Sequence, residues 1–257
     1  MQKSFAGVLV AFLLALFAAS TASAEGPVLP LPAADQQKLD ALLGPGVVGK
    51  ALPSAPIDEP TRYFPLQEKA PSYTITSGKH AGETQVLNVR KGKRPGGTPA
   101  WRFQLSPTLA AFLKNSVEGD LQMTAVTDAD EGVLVITSPP NPFLVKGMKP
   151  GESRPFSQTV AINYLDDPTD TRYSGSLTGA YTYLGTYQVT VPAGTFPALI
   201  MRVTCQGRIG PADTQDAAYY LFAPGVGVVA MVSQEDAEAF WIIHIDSSSG
   251  RVLATAQ

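Results

Sequence analysis

Gly185-Thr-Tyr-Gln-Val-Thr-Val-Pro-Ala-Gly-Thr-Phe196, continuing as Pro-Ala-Leu-Ile-Met-Arg-Val-Thr-Cys205, is the stretch that decides the fold. In 186–192, Tyr187, Val189 and Val191 fall on one side, and Thr186, Gln188 and Thr190 on the other. In 197–205, Leu199, Met201, Val203 and Cys205 share a side opposite Ile200, Arg202 and Thr204. A period of two marks a strand with one face turned to a core. Between the two runs, Pro192 ends a strand, Gly194 can take a positive φ, and Phe196 re-enters the core. The pair reads as a β-hairpin, with Cys205 a small core hydrophobe.

Strands recur on both sides of this hairpin. They are expected at 119–127, 132–138, 142–146, 155–165 and 171–184 before it, and at 216–223, 226–233 and 239–246 after it. Turn signals separate them: Asp128-Ala-Asp-Glu-Gly132, Pro139-Pro140, Pro150-Gly151, Asp166-Asp-Pro-Thr-Asp170, Ala193-Gly194 and Pro224-Gly225. Spacings of this kind fit an antiparallel meander, and no strand–helix alternation calls for a parallel sheet. Nearer the N-terminus, alternation continues in 73–77, 86–90 and 101–105, and Lys91-Gly-Lys-Arg-Pro-Gly-Gly97 reads as a charged, solvated hairpin tip. Ser106-Pro107 followed by Thr-Leu-Ala-Ala-Phe-Leu-Lys114 predicts one or two helical turns, with Ser106 as N-cap and Pro107 at the first helical position. The fold class expected is mostly β: an antiparallel, strongly curved sheet or partial barrel, with a short N-terminal helix.

The first residues carry an address. Lys3 precedes an apolar run from Phe5 to Ala19, and Ser20-Thr-Ala-Ser-Ala24 then offers a small-x-small cleavage site before Glu25. This is the signal-peptide pattern, and the run is shorter than a membrane-spanning helix needs. The expected product is exported, to the periplasm first and to the extracellular space as the alternative, and it has no transmembrane span after cleavage. Residues 25–61 form a Pro- and Ala-rich arm. Within it a helix is predicted near 35–43, capped by Asp35, with Leu39, Leu42 and Leu43 on one face and Gly44 at its end. Residues 62–257 are expected to make a single antiparallel β domain.

Composition narrows the function classes. Lys3 is the only charged residue before Glu25, so 18 basic side chains face 22 acidic ones in the remainder. That balance gives no overall electrostatic footprint for nucleic acid or for an anionic membrane. Cys205 is the only cysteine, which excludes an intramolecular disulfide, and no cysteine near residue 24 offers a lipid-anchor site.

Four segments resemble a family of bacterial exported domains of unknown function, the TapB-type proteins. They are Tyr63-Phe-Pro-Leu66, Pro142-Phe-Leu-Val-Lys-Gly-Met-Lys-Pro-Gly151, Gly185 to Phe196, and Tyr219-Tyr-Leu-Phe-Ala-Pro-Gly-Val-Gly-Val-Val229. The resemblance spans roughly 62–233 and fails at the arm and at Phe240 to Asp246. It implies a curved antiparallel sheet or open barrel and no particular activity.

The residues themselves carry few chemical signals. Gly225-Val-Gly-Val-Val-Ala230 satisfies a dinucleotide-binding pattern formally, but the residues after it read as a strand rather than the helix that would hold a pyrophosphate. His80 sits in a turn. His244 and Asp246 would share a strand face, and they are the one pair able to orient an imidazole for hydrolysis. Neither H-E-x-x-H nor C-x-x-C is present. Asp128, Asp130 and Glu131, and Asp166, Asp167 and Asp170, supply oxygens for calcium on two loops without EF-hand spacing. No catalytic, cofactor or metal residues are therefore assigned. The leading expectation is a non-enzymatic binding or envelope-associated module, with Tyr181, Tyr183, Tyr187, Tyr219, Tyr220 and Phe222 either filling its core or lining a site for an apolar small molecule or envelope component. The alternative is a hydrolase of envelope polymers or lipids that uses His244 and Asp246.

Overall fold

A computed structural model describes residues 26–235 and 248–255. Residues 1–24, the expected strand 239–246, and with it His244 and Asp246, lie outside the described residues. The chain is mostly antiparallel β. In order, it forms α1 (Ala33–Leu43), β1 (Val48–Leu52), α2 (Pro60–Tyr63), β2 (Ser72–Ser77), β3 (Thr84–Val86), β4 (Val89–Lys93), β5 (Pro99–Gln104), β6 (Leu109–Asn115) and β7 (Leu121–Asp128). It continues with β8 (Val133–Ser138), β9 (Asn141–Leu144), β10 (Ser153–Tyr164), β11 (Thr171–Val191), β12 (Gly194–Ile209), β13 (Ala212–Ala223), β14 (Gly227–Glu235) and β15 (Ser248–Thr255).

All these strands belong to one sheet, ordered β3-β2-β15-β14-β13-β12-β11-β10-β8-β7-β6-β5-β4, with β1 added to β11 and β9 to β7. Its two ends, β3 and β4, have no ladder between them, yet only Leu87 and Asn88 separate them in the chain. The Leu87 N–H donates to the Pro71 carbonyl on one side of that corner, and the Gln104 N–H to the Asn88 carbonyl on the other. The sheet therefore curls until one bent segment serves both of its ends. The expected single run at 86–90 is split there into β3 and β4, while Leu87 and Val89 are both buried as its alternation requires.

The deciding hairpin is β11–β12, paired from Gly175↔Ile209 to Val191↔Gly194. The two strands expected at 171–184 and 186–192 are one strand with a bulge. Register jumps between Tyr183 and Gly185, leaving Leu184 without a partner on β12. Gly185 has φ +132°, a value that side-chain-bearing residues avoid. The bulge bends β11, and its other edge changes partner there: β10 pairs below it and β1 above it. Tyr187, Val189 and Val191 are buried, as the alternation requires.

The core between the walls is aromatic. Phe64, Phe103, Phe143, Tyr220 and Phe222 form a connected cluster with centroid separations of 5.2 to 6.5 Å, mostly edge to face. Such pairs add about 0.5–1.5 kcal/mol beyond the area they bury.

Two local expectations are corrected. The turns predicted after Ser106 are strand β6. Ser106 does cap a turn, its Oγ accepting from the Leu109 N–H at 2.9 Å, but the chain then pairs with β5 and β7. Leu109 through Leu113 are all buried, because the strand is covered on both faces, and a continuous apolar run of this kind has no period to read. The helix near 35–43 forms as α1, starting at Ala33 with Pro32 at its N-cap position. Asp35 is inside the first turn, not before it. The Pro- and Ala-rich segment is also more than an arm: β1 joins the sheet, and Ile57 is wholly buried.

Candidate functional site

An opening of about 950 Å³ lies across β10 to β13, bordered by Lys38 of α1. The register builds it. Pro155, Ala180, Thr204 and Ala217 form one row of strand partners, and Thr178, Gln206 and Gln215 another. Strand side chains alternate faces, so these two rows point to the same side. Arg202, which reaches α1, lies on that side too. Thr178, Thr204, Gln206 and Gln215 are exposed there, and Lys38 of α1 borders them. The surface is a trough that carries hydroxyl and amide groups among Pro155, Ala180 and Ala217, with one cation at its rim, and Phe156, Gly179, Cys205 and Asp216 also border the opening.

The row between points the other way and holds Phe156, Gly179, Cys205 and Asp216. Gly179 is required: a Cβ there would stand 2.0 Å from the Thr204 carbonyl oxygen and 2.6 Å from the Phe156 ring. The Phe156 ring in turn packs 4.8 Å from that of Tyr181. Asp216 Oδ2 accepts from the Cys205 thiol at 3.7 Å and from Thr214 Oγ1 at 3.3 Å, while its Oδ1 is buried with no partner among the described residues. Burial holds this carboxyl above the usual carboxylate range, although both hydrogen bonds pull it down. The Tyr181 hydroxyl is also buried without a hydrogen-bond partner among the described residues, and burial raises it as well. Cys205 is therefore not the small core hydrophobe that alternation predicted. It is half-buried beside a carboxylate, a neighbour that disfavours the thiolate.

A second polar cluster fastens α1 to the sheet. Arg202 Nη1 donates to both carboxylate oxygens of Asp35 at 2.9 Å, and the Tyr219 hydroxyl donates to Asp35 Oδ1 at 2.6 Å. Asp35 is only 3% exposed. Burial first, and then the bond to Asp35, raises the Tyr219 hydroxyl. This corrects the reading of Asp35 as a cap: its carboxylate is committed to the sheet and does not turn back to its own backbone. The spacing 35, 39, 43 places it on the same stripe as buried Leu39 and Leu43, a signal that was in the sequence. Arg202, within a strand otherwise apolar from Ala198 to Val203, was its visible partner.

The remaining sequence candidates have local roles. Asp128 Oδ1 accepts from the Asp130 and Glu131 N–H groups, and Asp167 Oδ1 from the N–H and hydroxyl of Thr169, so both acids close their own turns. Among the described residues no group of three His, Cys, Asp or Glu is placed to hold a metal ion. His80 Nδ1 lies 3.1 Å from Glu83 in an exposed turn. Gly225 to Ala230 runs from a turn into β14, a strand as its residues suggested. Of the six aromatic candidates, Tyr183, Tyr187, Tyr219 and Phe222 are at most 1% exposed. Tyr183 and Tyr187 donate to the carbonyls of Ala55 and Leu184, and burial pushes both hydroxyls up to about 12. One cation stood out only in three dimensions. Lys69 Nζ donates to the Val226 carbonyl at 2.6 Å and lies 5.3 Å from the Phe64 ring centroid, and burial pulls it down to about 8.

Sheet, helix and trough define a class of curved antiparallel β scaffold with an open polar face. No family model matches the chain, and no curated protein matches it. Two solved structures are similar to it. One is a protein from Bacteroides fragilis, provisionally described as exported and as having a YmcC-like fold: 12% identity, TM-score 0.39, covering 79% of this chain and 98% of that one. The other is a protein from Parabacteroides distasonis, provisionally described as a lipoprotein: 12% identity, TM-score 0.36, covering 79% of this chain and 99% of that one.

Proposed function

We propose that this is an exported, non-enzymatic binding module of the cell envelope, working in the periplasm, and that its ligand is a hydroxyl-rich polar molecule such as a glycan segment, held in the trough of β10 to β13. Support for export comes from the signal-peptide pattern of residues 1–24 and from the resemblance to TapB-type exported domains. One observation carries the ligand assignment: a 950 Å³ opening edged by Lys38 and by the exposed side chains of Thr178, Thr204, Gln206 and Gln215. Neutral donors and acceptors spread over a wide, shallow surface suit a ligand that offers hydroxyls along its length. Tyr220 and Phe222 lie in the aromatic cluster, Tyr181 packs on Phe156, Tyr183 and Tyr187 hydrogen-bond to backbone and Tyr219 to Asp35, so these side chains supply packing and the polar-ligand version has the better support.

The test is a titration of the isotope-labelled secreted protein with a panel of soluble envelope glycan fragments, followed by amide shifts. Shifts centred on Thr204, Gln206 and Gln215, weakened at least about tenfold in affinity by Thr204→Val with Gln206→Ala, support the reading. Shifts confined to other surfaces, or affinity indifferent to those changes, overturn it.

A further inference from the structure

The balance of charge over the whole chain conceals one strongly polarised region. Between Glu83 and Glu118 there is no acidic residue, and there are six cations: Arg90, Lys91, Lys93, Arg94, Arg102 and Lys114. Five of them sit on the β4–β5 hairpin. Among the described residues none of these five forms an ion pair with a carboxylate. Arg90 and Arg102 are direct strand partners, which sets two guanidinium-bearing side chains opposite each other. Like charges so placed are unfavourable in the free protein. Arg94 has a buried Nε with no acceptor among the described residues. Lys91 Nζ lies 5.7 Å from the ring centroid of half-buried Trp101.

Place in the fold adds a second observation. β4 ends the strand path, and among the described residues its outer edge is paired only by the bridge of Val89 to Lys69 at its start. β4 and β6 flank β5 and both run antiparallel to it, which brings the β4–β5 and β6–β7 tips to the same end of the sheet. At the second tip Val117 is 101% exposed, an apolar side chain wholly in solvent. Its neighbour Glu118 is turned to Ser116.

We propose that this end of the sheet docks onto a membrane surface rich in anionic phospholipid headgroups. The cations alternate between both faces of the hairpin, with Arg90, Arg94 and Arg102 on one and Lys91 and Lys93 on the other. A linear polyanion lying along one face meets only part of this set. A plane approached end-on meets Lys93 and Arg94 at the tip and draws on both faces of the hairpin for the cations behind them, and guanidiniums fork onto phosphate oxygens. The exposed Val117 and the amphipathic Trp101 suit the boundary between headgroups and acyl chains, a feature no soluble polyanion uses.

The experiment is co-sedimentation of the secreted protein with vesicles of phosphatidylcholine alone and of phosphatidylcholine with about a third phosphatidylglycerol. Each cation near such a surface is worth roughly fivefold in partitioning. Binding is expected only to the anionic vesicles, falling more than about tenfold in 0.5 M salt. Arg90→Gln with Arg94→Gln and Arg102→Gln should lower it by about 100-fold. Lys91→Gln with Lys93→Gln, both exposed and safe for folding, should lower it by about 20-fold, and Val117→Asp by several-fold. Wild-type protein left in the supernatant, equal binding to neutral vesicles, or anionic-vesicle binding indifferent to the Lys91 and Lys93 changes would each overturn the proposal. So would retention on polyphosphate without retention on vesicles.

Discussion

Arg202 and Arg102 stand on strands of the same sheet, each partly buried, and their surroundings are opposite. Arg202 meets a carboxylate that is itself buried, through two bonds of 2.9 Å, with Tyr219 completing the set. Arg102 meets Arg90. Burial, and then the charge of Arg90, makes its guanidinium easier to deprotonate than usual. In the first region every charge serves the fold, because Asp35 and Arg202 hold α1 on the sheet. In the second, two like charges face each other and no carboxylate among the described residues pairs with either. A sheet able to place Asp35 beside Arg202 is not short of ways to neutralise an arginine. The difference points to stability as the role of one region and to an external partner as the role of the other.

The largest effect should come from breaking the compensated side. Asp35→Ala leaves Arg202 facing a cavity and removes the acceptor for the Tyr219 hydroxyl. Breaking a fully buried pair costs about 3–5 kcal/mol. Since the Arg202 side chain is 32% exposed, solvent recovers part of that, and about 2–3 kcal/mol is expected in urea unfolding. Asp35→Asn, which keeps the acceptor for Tyr219, should cost less than Asp35→Ala. If both variants unfold at the wild-type midpoint, the contrast drawn here fails.

That contrast was only partly legible in the sequence. The alternation of 186–205 specified the central hairpin because a half-buried strand exposes its period directly. The bulge at Gly185 was not legible, since nothing local separates a glycine that bends a strand from one that ends it. Strand β6 was misread for the opposite reason: with both faces covered, Leu109 to Leu113 carry no alternation, and Ser106-Pro107 imitates a helix start. For the candidate site, Asp35 was readable from its stripe with Leu39 and Leu43, whereas the trough depends on strand register across β10 to β13, which single-strand patterns do not contain. The basic hairpin was visible as residues. Its Arg90–Arg102 opposition became visible only with the register of β4 on β5.

Lys69 sharpens the comparison as an intermediate case, a partly buried cation with a carbonyl acceptor and an aromatic face but no carboxylate partner among the described residues. Burial pulls its ammonium down to about 8 from 10.5. The folded state thus releases a proton more readily than the unfolded chain. Below pH 8 both states are charged and the folded form bears the full burial cost; as pH rises from about 8 to 10.5 the folded form becomes neutral first, and stability rises. Lys69→Met should therefore be more stable than wild type by about 1–2 kcal/mol at pH 7, the advantage shrinking toward pH 10.5. Chemical denaturation at pH 7, 9 and 10 reads this directly. An advantage that is constant across those values would assign the effect to packing rather than charge.

The smallest effect belongs to the uncompensated pair, and its sign matters more than its size. Removing one member of a like-charged cross-strand pair relieves repulsion worth a few tenths of a kcal/mol. Arg90→Gln, at an exposed position, is expected to stabilise the protein by about 0.3–0.5 kcal/mol in 20 mM salt. The gain should vanish in 1 M salt, where the screening length falls to about 3 Å. Arg202→Gln should do the reverse, destabilising at both salt concentrations, because its partner is buried and poorly screened. The Arg90→Gln measurement is read beside vesicle binding: a variant that is more stable and binds anionic vesicles less well means that the fold keeps Arg90 at a cost to its own stability. If Arg90→Gln is destabilising instead, Arg90 supports the hairpin by contacts of its stem, and the two arginines differ in degree rather than in role.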